Sequence, residues 1–91
     1  MRSPDMYSAN VVVSNKLGLH ARPAAQIAKR AERARAGVWL ISGNEEADAK
    51  SVISILMLAC QRGTVVTIRA EHRMDIEVLN NIKALIENDS L

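Results

Sequence analysis

The chain has 91 residues, 48% of them apolar, with twelve basic and ten acidic residues and a net charge of +2. This length and apolar content predict one domain with one core and exclude intrinsic disorder. The small net charge disfavours general nucleic-acid binding, which needs a larger excess of cations. Seven basic but only two acidic residues fall in the first 35 positions, so we expect that part to face an acidic partner.

Hydrophobic periodicity predicts seven elements along the chain. They are a strand over residues 6–13, a helix over 21–36, strands over 38–41 and 46–49, a helix from 52 to just before Gly63, a strand over 64–70 and a helix over 75–88. We expect Gly37 to end the first helix, a hairpin turn over residues 42–44, and Ser51 to cap the second helix.

The order β-α-β-β-α-β-α predicts an α+β open-faced sandwich, with a four-stranded antiparallel sheet and three helices on one face. Ferredoxin-like folds, including RNA-binding ones, share this order, so it does not decide function. An RNA-binding sheet needs exposed aromatic side chains on which bases stack. This chain has no Phe, and Tyr7 and Trp39 are its only Tyr and Trp. We therefore disfavour nucleic acid as a partner.

The second helix has two apolar faces. The first, expected to pack on the sheet, comprises Val52, Ile55, Leu58 and Ala59. Ile53, Leu56 and Met57 fall on another face and are candidates for an exposed docking patch, although the pattern is equally compatible with one or two of them in the core.

Cys60 is the only cysteine, so neither an internal disulfide nor a cysteine pair for a metal site can form. The first eight residues lack the apolar run of a secretory signal, and no stretch of about 18 apolar residues could cross a bilayer. We expect a cytoplasmic protein with no metal, no cofactor and no membrane partner.

Residues 18–25 carry the chemistry. Pro23 is tolerated only in the first turn of a helix, so the helix begins just before it and His20 is the N-cap. Free backbone N–H groups and the positive end of the helix dipole at this position favour a bound anion such as phosphate. Arg22 can bring a guanidinium group to that anion, and Gly18 lets the loop backbone approach it.

This arrangement describes a histidine that can be phosphorylated. A neutral imidazole is a competent nucleophile at pH 7, so His20 would need neither a metal nor a neighbouring base. Spacing alone, however, favours the simpler interpretation of a polar helix cap beside a solvated arginine. Lys29, Arg30, Arg33 and Arg35 follow on the same helix and, with Lys16 and Arg22, form either a positive surface that steers acidic partners or a solvated helix face.

The run over residues 15–24, N-K-L-G-L-H-A-R-P-A, resembles the active-site loop of HPr, the histidine-containing phosphocarrier family of the bacterial sugar phosphotransferase system. A second signature, Lys50-Ser51 followed by an apolar helix and Gly63, occurs at the spacing of that family. The similarity extends from about Met6 to Leu85. We therefore expect a single HPr-like domain over residues 1–91, with residues 1–5 as a disordered tail.

The resemblance implies that His20 accepts a phosphoryl group, on Nδ1 by the family pattern, from the phosphohistidine of enzyme I. It would pass the group to IIA components of sugar uptake, while Arg22 steadies its charge. The protein would then be a carrier, not an enzyme, and monomeric by default. We expect partners to contact Lys16, Leu19, Ala21, Pro23, Ile53, Leu56 and Met57.

Ser51 also acquires a second interpretation. As an N-cap it contributes about 1 kcal/mol to stability. The resemblance adds phosphorylation by an HPr kinase/phosphorylase, which would place negative charge beside the docking surface and repel an acidic enzyme I. Two alternatives remain open: a carrier of the nitrogen-related, regulatory branch of the same system, and a regulatory protein whose Ser51-phosphorylated form binds a transcriptional regulator.

The sequence departs from the family over residues 71–74, where Glu-His-Arg-Met replaces a turn that usually contains Gly and Asp. We expect this loop to be reshaped. If the first and fourth strands pair antiparallel, His72 lies at the other end of the sheet, roughly 20 Å from His20. This separation disfavours a metal site or catalytic pair that uses both histidines.

Overall fold

The computed structural model describes residues 7–88 and confirms the predicted α+β open-faced sandwich. The elements are β1 (Tyr7–Val12), α1 (Ala21–Ala31), β2 (Val38–Ser42), β3 (Glu45–Asp48), α2 (Val52–Met57), β4 (Val65–Ala70), a 3₁₀ helix (Arg73–Asp75) and α3 (Ile76–Asn88). The predicted tail over residues 1–5, and Met6 of the predicted first strand, lie outside the described residues.

The four strands form one antiparallel sheet in the order β1-β4-β2-β3. Tyr7 pairs with Ala70 and Val12 with Val65, so the loop after β1 leaves the sheet where β4 begins. The hairpin between β2 and β3 turns at residues 43–44, as predicted, with Gly43 at a φ of +60°. This left-handed conformation suits glycine, which has no Cβ to clash with its own carbonyl.

The core lies between the sheet and the three helices. Alternate residues of each strand point into it because side chains of a strand alternate between the two faces. Its largest fully buried apolar side chains are Ile27, Leu40, Ile55, Ile68, Ile82, Ile86, Val13, Val38 and Val66. Each contributes about 1.5–3 kcal/mol through removal from water.

The prediction that α1 extends to Gly37 was wrong, because the helix ends at Ala31. Two short-range backbone bonds tighten the chain there, from Arg33 N–H to the Arg30 carbonyl and from Ala34 N–H to the Ala31 carbonyl. The next two N–H groups then donate to the carboxylate of Asp75, 39 and 40 residues further along the chain. A tertiary acceptor therefore ends a helix whose sequence pattern continues.

The second helix is also shorter than predicted. It ends at Met57, six residues before Gly63, and the N–H groups of Leu58 and Ala59 bond three residues back. Ala59 adopts a φ of +53°, the left-handed position that commonly ends a helix and that normally holds glycine. Ala59 lies beyond the helix and is exposed. It does not share the buried face of Ile55 and Leu58, so its assignment to that face was wrong.

The loop at residues 71–74 follows β4 directly. It enters the 3₁₀ helix, whose N-cap is His72, and α3 begins at Ile76 and not at the predicted Asp75. The side chain of Asp75 is only 1% exposed because it accepts hydrogen bonds from the backbone of residues 35 and 36. Nothing in its sequence context marked this residue as buried.

Candidate functional site

His20 occupies the N-cap of α1, as predicted from Pro23. Its backbone is extended, with a φ of −82° and a ψ of −170°, and its carbonyl accepts from Ala24 N–H at 3.0 Å. Pro23 lies in the first turn, where its missing N–H removes no helical bond. The N–H groups of Ala21 and Arg22 belong to that turn and have no acceptor within the helix. The tip of α1 therefore offers free donors beside the imidazole.

The imidazole of His20 is held with its two nitrogens in different environments. Nε2 is buried and has no hydrogen-bond partner in the described part of the chain. The side chain makes no capping hydrogen bond to its own helix either. Nδ1 is not among the buried atoms that lack a partner, and no hydrogen bond is made by it within residues 7–88, so it retains some solvent-accessible surface. Of the two ring nitrogens, Nδ1 is therefore the more accessible.

The loop before His20 is fixed by the segment that connects α2 to β4. Leu19 N–H donates to the Cys60 carbonyl at 2.9 Å, and Gly18 takes a φ of +69°. A Cβ at Gly18 would overlap the Cys60 carbonyl oxygen. From the sequence, Gly18 was expected to let the backbone approach an anion; the approach that requires glycine is the one to Cys60.

Asn15 is a structural residue of this loop that the sequence analysis missed. It is 2% exposed, its Oδ1 accepts from Leu17 N–H at 2.7 Å, and its carbonyl accepts from Gly18 N–H at 2.9 Å. Such a side-chain-to-backbone bond two residues on is typical of asparagine in turns, which is the signal that could have identified it. Asn15 thereby stabilises the turn over residues 15–18, which leads into His20 at the start of α1.

Two of the predicted partner contacts are buried. Leu19 is 5% exposed and belongs to the core, and Pro23 is fully buried. Their side chains hold the loop and the first turn of α1 against the core, and they do not present a surface to another protein. This corrects the expectation that Leu19 and Pro23 contact a partner.

The other predicted residues around His20 are exposed. Lys16, Ala21 and Arg22 are all exposed, and Arg22 makes no ion pair or side-chain hydrogen bond within residues 7–88. A cation without a partner at the helix tip is available to an incoming anion. Leu17, which the sequence analysis left out of the contact set, is also exposed, by 67%.

The second helix presents an uncovered apolar face. Ile53 is 67% exposed, Met57 77% and Leu56 37%, so none of the three is in the core, and α2 packs beside α1. Ser51 caps α2 as predicted, with its Oγ accepting from Ser54 N–H at 3.1 Å. We call the exposed set around the tip of α1 and along α2 the docking surface. It comprises Lys16, Leu17, Ala21, Ile53, Leu56 and Met57.

The remaining side chains able to act as nucleophiles or ligands lie elsewhere or are inactive. Burial raises the pKa of the Cys60 thiol, against the opposing effect of a hydrogen bond with Ser42, so little reactive thiolate forms near neutral pH. Nδ1 of His72 accepts from Met74 N–H at 2.9 Å, at the far end of β4. Across residues 7–88 no three His, Cys, Asp or Glu side chains are grouped so as to hold a metal ion.

Comparison with known proteins decides the family. The family model described as "PTS HPr component phosphorylation site" matches residues 7–88. The chain belongs to the HPr family. It is 38% identical over 82 residues to the phosphocarrier protein HPr of Vibrio cholerae, covering 90% of this chain and 96% of that protein. It is 37% identical to the phosphocarrier protein HPr of Haemophilus influenzae, covering 89% and 95%.

The fold agrees with that assignment. The crystal structure of a phosphocarrier protein HPr from Bacillus anthracis superposes with a TM-score of 0.82 at 34% identity, covering 89% of this chain and 96% of that one. The protein is therefore a phosphocarrier of the phosphotransferase system, a non-enzymatic intermediate in phosphotransfer. Membership of the family implies enzyme I and IIA components as partners. No helix within residues 7–88 is long and apolar enough to span a membrane.

Proposed function

We propose that Nδ1 of His20 is the atom that carries the phosphoryl group. The observation that supports this is the burial of Nε2, which leaves one ring nitrogen accessible at the tip of α1. In the transfer, the Nδ1 lone pair forms a bond to phosphorus while the bond to the phosphohistidine nitrogen of enzyme I breaks. The electron pair of that bond returns to the imidazole of enzyme I. In transfer to a IIA component, His20 is the leaving group. The histidine of the IIA component forms the new bond to phosphorus, and the electron pair of the broken bond returns to the His20 imidazole.

The tip of α1 supports this exchange by stabilising charge on the transferring group. The free N–H groups of Ala21 and Arg22 and the helix dipole favour a dianionic phosphoryl group, and the Arg22 guanidinium adds a mobile cation. Because Arg22 is exposed and unpaired, it can follow the group as it moves between two proteins. A half-buried imidazole with free space at Nδ1 lets the second histidine approach in line.

Phosphorylation with enzyme I and phosphoenolpyruvate tests the acceptor. We expect the native chain to gain one acid-labile phosphoryl group and the His20→Gln variant to gain none. His72→Gln is the matched control and should be phosphorylated like the native chain, since His72 lies at the other end of the sheet. ¹⁵N NMR of the phosphorylated imidazole then identifies the nitrogen. Phosphorylation of His20→Gln, or a bond at Nε2, would refute the assignment.

The docking surface supplies the contact with partners. Its apolar residues lie on α2, which packs against α1, and a contact set of six residues suits an encounter that must end after each transfer. We expect Met57→Asp to raise the KM of enzyme I for this chain about tenfold, because a carboxylate would be desolvated at the contact. Met74→Asp changes another exposed methionine, at the opposite end of the sheet, and should leave KM unchanged. Equal effects of the two variants would exclude α2 as the contact.

Ser51 supplies a second site, for regulation by an HPr kinase/phosphorylase. Its half-buried hydroxyl caps α2 at the border of the docking surface, so a phosphate there would add negative charge beside Ile53 and disfavour an acidic partner. Ser51→Asp should slow phosphorylation by enzyme I, whereas Ser8→Asp, on an exposed site of β1, should not. A kinase assay on native chain and Ser51→Ala tests the modification itself; equal labelling of both would exclude this serine.

The exchange takes place in the cytoplasm on this proposal, with IIA components of sugar uptake as acceptors. The nitrogen-related branch uses the same His20 chemistry and differs in the acceptor. Transfer rates from the phosphorylated chain to purified IIA proteins of both branches distinguish the two. Binding of a transcriptional regulator by the Ser51-phosphorylated form would add a regulatory role to the carrier.

A further inference from the structure

A groove between α1 and α3 concentrates positive charge outside the candidate site at His20. Its volume is about 420 Å³, and Lys29, Arg30, Arg33, Val78 and Asn81 line it. No carboxylate is among these residues. Arg30 is ten residues beyond His20, which along a helix is about 15 Å. The groove is therefore separate from the tip of α1.

None of the three cations of the groove forms an ion pair within residues 7–88, and Arg30 donates only to the Gln26 carbonyl, at 3.4 Å. The ion pairs within residues 7–88 join Arg69 to Glu46 and Lys83 to Glu87. Lys29 and Arg30 lie in the last turn of α1, and Arg33 follows in the turn after the helix, where its N–H bonds to the Arg30 carbonyl. The three like charges line one groove and therefore repel each other. A bound anion would remove that repulsion.

The proximity of the C-terminus of α1 favours cations at these positions, but it does not account for the groove itself. The helix dipole stabilises Lys29 and Arg30 in the last turn. The residues on α3, however, are a half-buried valine and an exposed amide, Val78 and Asn81, and neither interacts with that dipole. They form the second wall of a concave site with an apolar patch and a hydrogen-bonding group.

We propose that this groove binds a small molecule carrying two phosphate groups. Two guanidinium forks match phosphate oxygens in pairs, and Lys29 adds a point charge in the last turn of α1. The volume of about 420 Å³ is in the range of small-ligand sites, about 300–1,000 Å³. Val78 and Asn81 would contact the organic part of the ligand.

NMR titration of the ¹⁵N-labelled chain with pyrophosphate, at low ionic strength and without divalent metal, tests the site. We expect saturable shifts of the amides of residues 29–33 and 78–81, and binding at least fivefold weaker for inorganic phosphate. Arg33→Gln should weaken binding about tenfold, the loss of one charge-assisted hydrogen bond. Arg73→Gln removes an equal charge elsewhere and should weaken binding less than twofold.

The same titration can overturn the proposal. Equal weakening by Arg33→Gln and Arg73→Gln would show a response to net charge alone, and shifts confined to residues 20–24 would place the anion at the tip of α1. Citrate binding as tight as pyrophosphate would refute the preference for phosphate, and tighter binding of an oligoglutamate peptide would favour a protein partner. Arg30→Gln provides a second variant if Arg33→Gln does not fold. His20→Gln should leave groove binding unchanged, so the outcome is independent of the phosphoryl-transfer proposal.

Discussion

The end of the sheet where β4 begins and the end where it finishes differ in how their polar groups are paired. At the finishing end, the Asp75 carboxylate accepts from two backbone N–H groups, and Glu71 accepts from Trp39 Nε1 at 2.8 Å. At the beginning end, Nε2 of His20 and Nδ2 of Asn15 are buried without partners in the described chain. Nε of Arg69, near the finishing end, is also buried without a partner, but the same guanidinium group pairs with Glu46. Buried polar groups without partners cost stability.

This difference separates stability from function. The hydrogen bonds of Asp75 stabilise the fold by joining the segment after α1 to the 3₁₀ helix before α3. At the tip of α1, in contrast, the Arg22 side chain has no partner within residues 7–88, and on the proposed function it is left for the phosphoryl group. A carrier must also release its phosphoryl group, so a permanent partner for this side chain would work against it. The predictions below test the two ends separately.

The largest expected effect is at the paired end. Asp75→Ala removes a carboxylate that satisfies the N–H groups of residues 35 and 36, and we expect a loss of about 3–4 kcal/mol in the free energy of unfolding. Urea denaturation measures it. Glu77→Ala, an exposed carboxylate two residues away, should change stability by less than about 0.5 kcal/mol. If Asp75→Ala lowered the free energy of unfolding by no more than this control, the hydrogen bonds of Asp75 to residues 35 and 36 would not stabilise the fold.

Next comes the glycine that joins the loop to Cys60. Gly18→Ala combines a left-handed backbone with an overlap on the Cys60 carbonyl, and we expect it to cost about 3 kcal/mol and to slow phosphorylation of His20. Gly43→Ala has a similar φ of +60° but open space around the added carbon, so about 1 kcal/mol is expected with no change in phosphorylation. The difference between the two losses in the free energy of unfolding measures the cost of the overlap with the Cys60 carbonyl. Equal losses would show that this overlap costs nothing.

A smaller effect is expected from the free cation. Arg22→Gln should lower the rate of phosphorylation by enzyme I about tenfold, because the transferring group loses one charge-assisted contact. Its stability should not change, since Arg22 has no partner to lose within residues 7–88. Stopped-flow or quench kinetics with Arg73→Gln as the control measures the rate. A rate equal to that of the control would remove Arg22 from the site.

The smallest effect is a gain. Ala59→Gly relieves a left-handed alanine after α2 and should raise the free energy of unfolding by about 0.5–1 kcal/mol. Ala25→Gly, in the exposed interior of α1, should lower it by about 1 kcal/mol. The same substitution is therefore expected to change the free energy of unfolding in opposite directions at the two positions, as measured by thermal or urea denaturation. A loss at both positions would show that the conformation of Ala59 is not strained.

Much of the candidate site was predictable from local rules. Pro23 requires the first turn of a helix, so it fixed the N-cap at His20, and Ser51 marked the start of α2 through its capping oxygen. Asn15 was missed because its role depends on burial. Leu19 and Pro23 were assigned to the surface because sequence neighbours of a reactive histidine are expected to contact its partners. Packing against the core decides which of them a partner can reach.

By itself the sequence determined the order of the elements and the starts of α1 and α2, because these depend on periodicity and on residues one turn apart. The candidate role of His20 came from the family resemblance. Tertiary structure decided how the segment after α1 is held and that the loop before His20 rests on Cys60. Those features depend on acceptors and neighbours about 40 residues away along the chain, such as Asp75 for residue 35 and Cys60 for Leu19. Short-range patterns contain no information on such partners.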